Sequence, residues 1–237
     1  MISGKSFAER CKWVVDPRYP DRPRFQYHTA SDGDWVFVNG DYLYTMRFPV
    51  LSTKRFTFVI HNTDQPFEEP QLRYLLPHAS HVYAINTTIR HSRLTTIPLG
   101  FVDKQLPLLP VFDKPETNRG IDIYMNFTSG TNTTKRNECI ASFKDDPRVV
   151  TRTGLALREY YTDLCKSKFV LCPEGTGMDT HRVYESLYFG ATPVVLRNSL
   201  SHLYEKLPVC IVNSWSDPFV HPPLKQIDWD INTFLTR

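Results

Sequence analysis

Apolar and polar positions along this 237-residue chain fall into two alternating kinds of block. Short apolar runs of strand length lie at 35–39, 55–60, 81–86 and 94–99, and again at 120–127, 149–152, 168–172, 192–196 and 209–213. Stretches that predict helices separate many of them, at 71–79, 134–144, 157–166, 179–189 and 199–207. Residues 6–15 predict a short helix, 16–34 a proline-rich loop, and 227–237 the start of a closing helix. Strands alternating with helices predict an α/β fold with parallel sheets. Residues 103–119 are rich in proline and charge and interrupt the pattern near its middle. The linker is therefore placed at 106–119, with one half at 1–105 and the other at 120–237. The expectation is two Rossmann-like domains with an interdomain cleft.

Strand ends in the first half are polar: Asn39-Gly40-Asp41, His61-Asn62-Thr63-Asp64 and Asn86-Thr87-Thr88. Repeated polar ends point to one functional edge of a sheet. The second half contains the densest chemistry, in KFVLCPEGTGMDTHRVYESLYFGATPVV at 168–195. This reads as strand, glycine-bearing loop, helix and strand. Asp179 is the expected N-cap and Gly190 the helix stop. Gly175, Thr176 and Gly177 form a loop at a strand's carboxyl end, ahead of a helix N-terminus, which suits a phosphate group. Glu174, Asp179, His181, Arg182 and Glu185 surround that loop.

Composition narrows the picture. The net charge of +3 comes without a long basic run, which argues against nucleic acid as a partner. No apolar segment is long enough to span a membrane. The N-terminus lacks a signal-peptide apolar region, so the expected location is cytoplasmic. Five cysteines without CxxC or metal spacing read as reduced thiols. Asn-x-Thr occurs at Asn86, Asn126 and Asn132 and is read as chance. Asp32-Gly33-Asp34 spells DxD but precedes a strand, so it is read as a turn and no metal is expected.

Residues 168–195 resemble the signature of exostosin-like glycosyltransferases and their bacterial and viral relatives. Cys172-Pro173, Gly175, Gly177, Asp179, His181-Arg182, Glu185, Gly190 and Thr192-Pro193-Val194-Val195 carry the likeness. FVIHNTDQPF at 58–67 and YAINTTIRHSRLTTIPLGFVD at 83–103 are similar to the acceptor-side strands of that family. One departure is Glu174, where relatives often carry a basic residue. The resemblance implies a GT-B fold, a nucleotide-diphosphate sugar donor (UDP-linked foremost), a glycan or glycoprotein acceptor and no catalytic metal or other cofactor.

On that footing Arg182 grips the diphosphate and Glu185 the ribose, against the plainer reading of an i,i+3 surface ion pair. Asp179 either touches the donor or only caps its helix. His181 contacts donor or acceptor, or is packed. Glu174 meets donor-sugar hydroxyls or lies on the rim. The loop at 128–136 supplies Thr131 and Arg136 as further donor contacts, or is an ordinary capped turn. Arg152 is a candidate for the nucleobase or phosphate. An inverting transfer needs a base on the acceptor side. The candidates rank Asp64, then His61, then Asp41, with Asp41 or His61 orienting the acceptor in the alternative. Two rival functions are a degenerate, non-catalytic nucleotide- or glycan-binding module and a metal-dependent GT-A-like transferase using Asp32 and Asp34.

Overall fold

The computed structural model describes residues 1–112, 119–223 and 226–236. The chain forms two compact units, Met1–Asp103 with Asp228–Arg237, and Lys104–Ile227.

The first unit holds α1 (Gly4–Arg10), β1 (Trp13–Val15), β2 (Trp35–Asn39), β3 (Phe56–His61), α2 (Glu69–Leu75), β4 (Ala79–Ala84) and β5 (Leu94–Thr96). The five strands are parallel and lie in chain order, β1-β2-β3-β4-β5. Every residue of β3 is buried, as expected of a strand covered on both faces. One face carries Val36, Val38, Phe58, Ile60, Val82 and Ala84, packed with Leu72 and Leu75 of α2. On the other, Phe7 of α1 meets His61, and Tyr83 stacks on Trp35.

β1 is three residues long and falls inside the helix expected over 6–15. Trp13, Val14 and Val15 are β-branched or aromatic, and they end the helix early by pairing with β2. The C-terminal segment departs from expectation too. Residues 228–236 were grouped with the second half, yet they join the first unit. Trp229 packs on Phe101 at 5.1 Å, and the Leu235 carbonyl accepts the Tyr83 hydroxyl at 2.9 Å. The closing helix is a short 3-10 turn, Ile231–Phe234.

Polar strand ends meet at one edge of this sheet. Thr63 donates to the Asp41 carboxylate at 2.5 Å, and the Asn86 amide reaches the Thr63 carbonyl at 3.4 Å. Asn62 and Asn86 both sit at positive φ, 61° and 52°, a conformation asparagine tolerates better than most side chains. The Asn62 amide donates to Asp16 and to Tyr19, each at 2.9 Å. Burial pushes the Asp16 pKa up, but hydrogen bonds from Arg18 and Asn62 outweigh it and hold it below the usual carboxylate value. A depressed folded pKa stabilises above the unfolded value near ~3.9 and is lost as pH falls through the folded one. The stability gap between wild type and Asp16→Asn, measured by urea unfolding, is therefore expected to be full at neutral pH and to close on acidification below about pH 4.

The second unit holds β6 (Ile121–Met125), α3 (Thr133–Ser142), β7 (Val149–Thr151), α4 (Leu157–Lys166), β8 (Ser167–Leu171), α5 (His181–Tyr188), β9 (Thr192–Leu196), α6 (Ser201–Tyr204) and β10 (Cys210–Val212). Its parallel sheet runs β10-β9-β8-β6-β7. The order reverses at β6, which has β8 on one side and β7 on the other. Such a reversal opens a crevice at the carboxyl ends of the strands. Together the two parallel sheets make a mixed α/β protein consistent with Rossmann-like domains. Residues 104–112, partly within the expected linker, belong to this unit: Leu109 is buried and Phe112 packs edge-on to Tyr161. Residues 113–118 of that linker lie outside the described residues. Arg119 follows it and donates to the carbonyls of Leu164, Cys165, Ser167 and Phe189, tying the ends of α4 and α5 together.

The five cysteines are all free and buried. Among the described residues no helix is long and apolar enough to cross a membrane.

Candidate active site

The crevice at β6 and β8 is built from two loops. The loop after β8 begins at Cys172-Pro173 and reaches α5 at His181. It folds back on itself, with the Gly175 amide bonded to the Gly177 carbonyl at 3.0 Å. That amide is therefore engaged rather than presented to a ligand. Gly175 sits close to the loop after β6: a Cβ there would lie 3.0 Å from Arg136 Nη2, which would have to give by a few tenths of an ångström, and 3.6 Å from Thr131 Oγ1. The loop after β6 brings Phe127 and Thr131, and its Asn132 side chain caps α3 at the Lys135 amide. Asn132 also donates to the Gly175 carbonyl at 3.0 Å, and Thr176 donates to the Thr131 carbonyl at 3.4 Å. The two loops thus brace each other.

Two arginines converge on Phe127. The Cζ of Arg136 lies 5.5 Å from the ring centroid and that of Arg182 lies 5.7 Å away. Arg136 is buried, donating from Nε to the Glu174 carbonyl at 3.1 Å and from Nη1 to the Thr128 carbonyl at 2.8 Å. Burial, and then the neighbouring Arg182 charge, lowers the Arg136 pKa. Burial also works against the Arg182 charge, but Tyr160, Cys172 and Glu185 around it prevail and raise its pKa. Among the described residues neither guanidinium takes part in a salt bridge. Arg182 Nε is buried without a hydrogen-bond partner, and so is the Thr180 hydroxyl just before it. Thr180 is the N-cap residue of α5 and makes no side-chain cap. A helix start without its cap, beside two like charges, leaves donors that an anion satisfies.

Asp179 is not the N-cap. Its carboxylate turns inward, is 3% exposed, and accepts from the hydroxyls of Tyr184 and Tyr204 and from the Thr180 amide. The two tyrosines outcompete the cap because they let a buried carboxylate keep its hydrogen bonds. Asp179→Ala strands both hydroxyls and is expected to cost roughly 2–5 kcal/mol in urea unfolding. A loss of ligand affinity with stability unchanged is the opposite result, and would place Asp179 on the ligand instead.

Glu185 is buried and accepts from the Tyr160 hydroxyl at 2.8 Å. Burial raises its pKa, while Tyr160, Arg182 and His181 pull it back in part. The surface i,i+3 pair therefore does not describe it. His181 opens α5 and is half-buried. Glu174 bonds Lys135 at 2.5 Å and Asn198 at 2.9 Å. Arg152, at the end of β7, pairs with Asp163 at 3.3 Å, and Asp163 also takes the Tyr124 hydroxyl at 2.9 Å. Lys135, Asn198, Phe127, Tyr160 and Tyr204 were not anticipated. Asn198 carried the only usable signal, a polar residue just past a strand.

In the first unit, Asp64 is exposed, and among the described residues its carboxylate has no hydrogen bond or ion pair. The turn around it is made by Thr63, whose hydroxyl accepts from the Gln65 amide at 3.1 Å. Asp41 is exposed and bonded by Thr63. His61 is 1% exposed, packed by Phe7 and Phe37, with its ring nitrogens 2.9 Å from Asn62 Oδ1 and 3.3 Å from the Pro98 carbonyl. In this position it does not reach a ligand. Both carboxylates of the DxD stretch hold its turn, Asp32 at the Arg55 amide and Asp34 at Ser31, Trp13 and Lys12. The three Asn-x-Thr side chains are likewise engaged, at Thr63, Tyr124 and Gly175.

No curated protein matches the chain. Residues 122–222, from β6 to beyond β10, match the family model described as the RXYLT1 C-terminal domain, a xylosyltransferase-related family and so one consistent with a glycosyltransferase.

Proposed function

We propose that this protein is a glycosyltransferase of the GT-B kind, moving a sugar from a nucleoside-diphosphate donor, UDP-linked, to a hydroxyl of a glycan or glycoprotein acceptor. The carrying observation is the Arg136–Arg182 pair beside Phe127, with Arg182 Nε and the Thr180 hydroxyl lacking partners. Two guanidiniums without a salt bridge among the described residues suit a diphosphate, whose oxygens accept the unused donors. The match over residues 122–222 and the exostosin-like motif support the same reading.

The acceptor hydroxyl gives its proton to Asp64 as its oxygen attacks the anomeric carbon. The bond from that carbon to the diphosphate oxygen breaks, and the electron pair leaves with the diphosphate. Attack opposite the leaving group inverts the anomeric centre. Arg182 and Arg136 offset the charge that develops on the departing group, the task a metal ion performs in other transferases. Glu185, held by Tyr160, offers its remaining oxygen to the ribose. His181 and Thr176 flank the donor, Arg152 is the candidate for the nucleobase or phosphate, and Asp41 orients the acceptor.

A panel of nucleotide sugars tests this by thermal shift and by mass spectrometry of products. UDP-linked donors are expected to raise the melting temperature and to be turned over in the presence of a chelator. If no nucleotide sugar binds, the proposal fails; if turnover stops in chelator, its metal-independent mechanism fails.

A further inference from the structure

Where β6 and β7 end, Asn126 and Arg152 lie side by side. The strands pair in register up to Met125 and Thr151, and the Arg152 amide donates to the Met125 carbonyl at 3.0 Å. Both side chains are anchored on one buried carboxylate. Asp163, 4% exposed, accepts from Arg152 at 3.3 Å and from the Tyr124 hydroxyl at 2.9 Å. Tyr124 is fully buried, and burial raises its pKa, so the hydroxyl keeps its proton. That proton goes to Asp163, because a carboxylate only accepts. The Tyr124 oxygen is left to accept, and it takes the Asn126 amide N–H at 2.8 Å. This chain of donors fixes which way the Asn126 carboxamide faces. Its nitrogen is held on Tyr124, while its Oδ1, its second amide N–H and most of the Arg152 guanidinium are unused among the described residues. Asn126 is half-buried with Oδ1 not sealed from solvent, and Arg152 is exposed, so a ligand can reach both.

We infer that Asn126 and Arg152 read the donor's nucleobase and select uracil over cytosine, with Tyr124 and Asp163 as the positioning residues. This rests on the nucleoside-diphosphate-sugar reading above. Tyr160 joins the pair to the site already described: its hydroxyl holds Glu185, assigned to the ribose, and its ring lies 6.5 Å from that of Tyr124. An unpaired base is read on its Watson–Crick edge. Uracil offers an acceptor, a donor and an acceptor there: O2, N3–H and O4. Asn126 Oδ1 takes the N3–H, its free amide N–H reaches one carbonyl, and Arg152 reaches the other. Cytosine has a bare N3 in place of N3–H and an amino group in place of O4. Its N3 lone pair faces Oδ1, acceptor against acceptor, and neither is satisfied. An unanchored asparagine turns its carboxamide over to suit cytosine. Here that turn sets Oδ1 against the Tyr124 oxygen, whose proton Asp163 already holds. Selection thus comes from a mismatch fixed against the wrong base as well as from bonds to the right one.

Calorimetric titration of the intact protein with UDP and CDP tests the inference, since the two differ only on that edge. UDP is expected to bind about tenfold or more tighter, the effect of one hydrogen bond replaced by two opposed acceptors. Asn126→Ala is expected to bring the two affinities within about threefold of each other. Tyr124→Phe frees the carboxamide to turn and is expected to lower the UDP-over-CDP ratio severalfold. A purely structural role for Tyr124 lowers the folded fraction, read by urea unfolding, and weakens both nucleotides alike, so the ratio stays. Equal binding of UDP and CDP by the wild type, or a ratio kept in Asn126→Ala, overturns the inference and leaves the diphosphate site standing. A ratio kept in Tyr124→Phe overturns the positioning role of Tyr124 and Asp163. No binding of either nucleotide by the wild type overturns the inference together with the reading it rests on.

Discussion

Arg182→Ala is expected to weaken UDP binding by about 100-fold or more while leaving the unliganded domain folded. Removing a charge-assisted hydrogen bond costs about 1.5–3 kcal/mol, and a guanidinium on a diphosphate makes two, so a loss near 3 kcal/mol is a conservative figure. The second half of the prediction separates this residue from a structural arginine. Arg119 donates to four carbonyls, and its removal strands them. Arg182 has a buried Nε with no partner and a like charge for a neighbour, while Tyr160, Cys172 and Glu185 hold its charge, so truncation costs some stability without unfolding the domain. Arg182→Lys keeps the charge and loses the fork, and is expected to retain only part of the affinity. Calorimetric titration gives the affinities and urea unfolding the stabilities. If Arg182→Ala unfolds the domain and leaves residual UDP affinity intact, the arginine is a core residue and not a phosphate ligand.

The fold was largely legible because its strands are short apolar runs bounded by polar ends. β2, α4 and β9 fall on the ranges read from the pattern alone. What escaped depends on partners distant in the chain. β1 is three residues that hold only by pairing with β2, and the C-terminal segment finds Phe101 and Tyr83 more than a hundred positions earlier. The site was legible to a smaller extent. The family resemblance marked Arg182 and Glu185, whereas the local pattern pointed to Asp179 as a cap because nothing in it announces Tyr204 as a competing donor. Arg136 was visible only as one basic residue in a Thr-rich turn. Its importance comes from burial beside Arg182, a property of two helices whose spatial relation the sequence does not express.

Asp64→Asn is expected to lower transfer by 10²–10⁴-fold, the span typical of removing a general base, while UDP affinity stays unchanged. The choice among three candidates rests on access. His61 is enclosed by Phe7 and Phe37, so His61→Ala opens a cavity and is expected to lower stability first, with activity following the fraction folded. Asp41 shares a hydrogen bond with Thr63, which ties it to the loop that carries Asp64. Asp64 is exposed, has no competing partner among the described residues, and follows a strand whose end is fixed by the Asn62 bonds to Asp16 and Tyr19. A base with these properties needs no repacking to meet an acceptor hydroxyl. Loss of UDP affinity in Asp64→Asn, or transfer unchanged in that variant, assigns the proton transfer to another residue, and Asp41→Asn is then the first to measure.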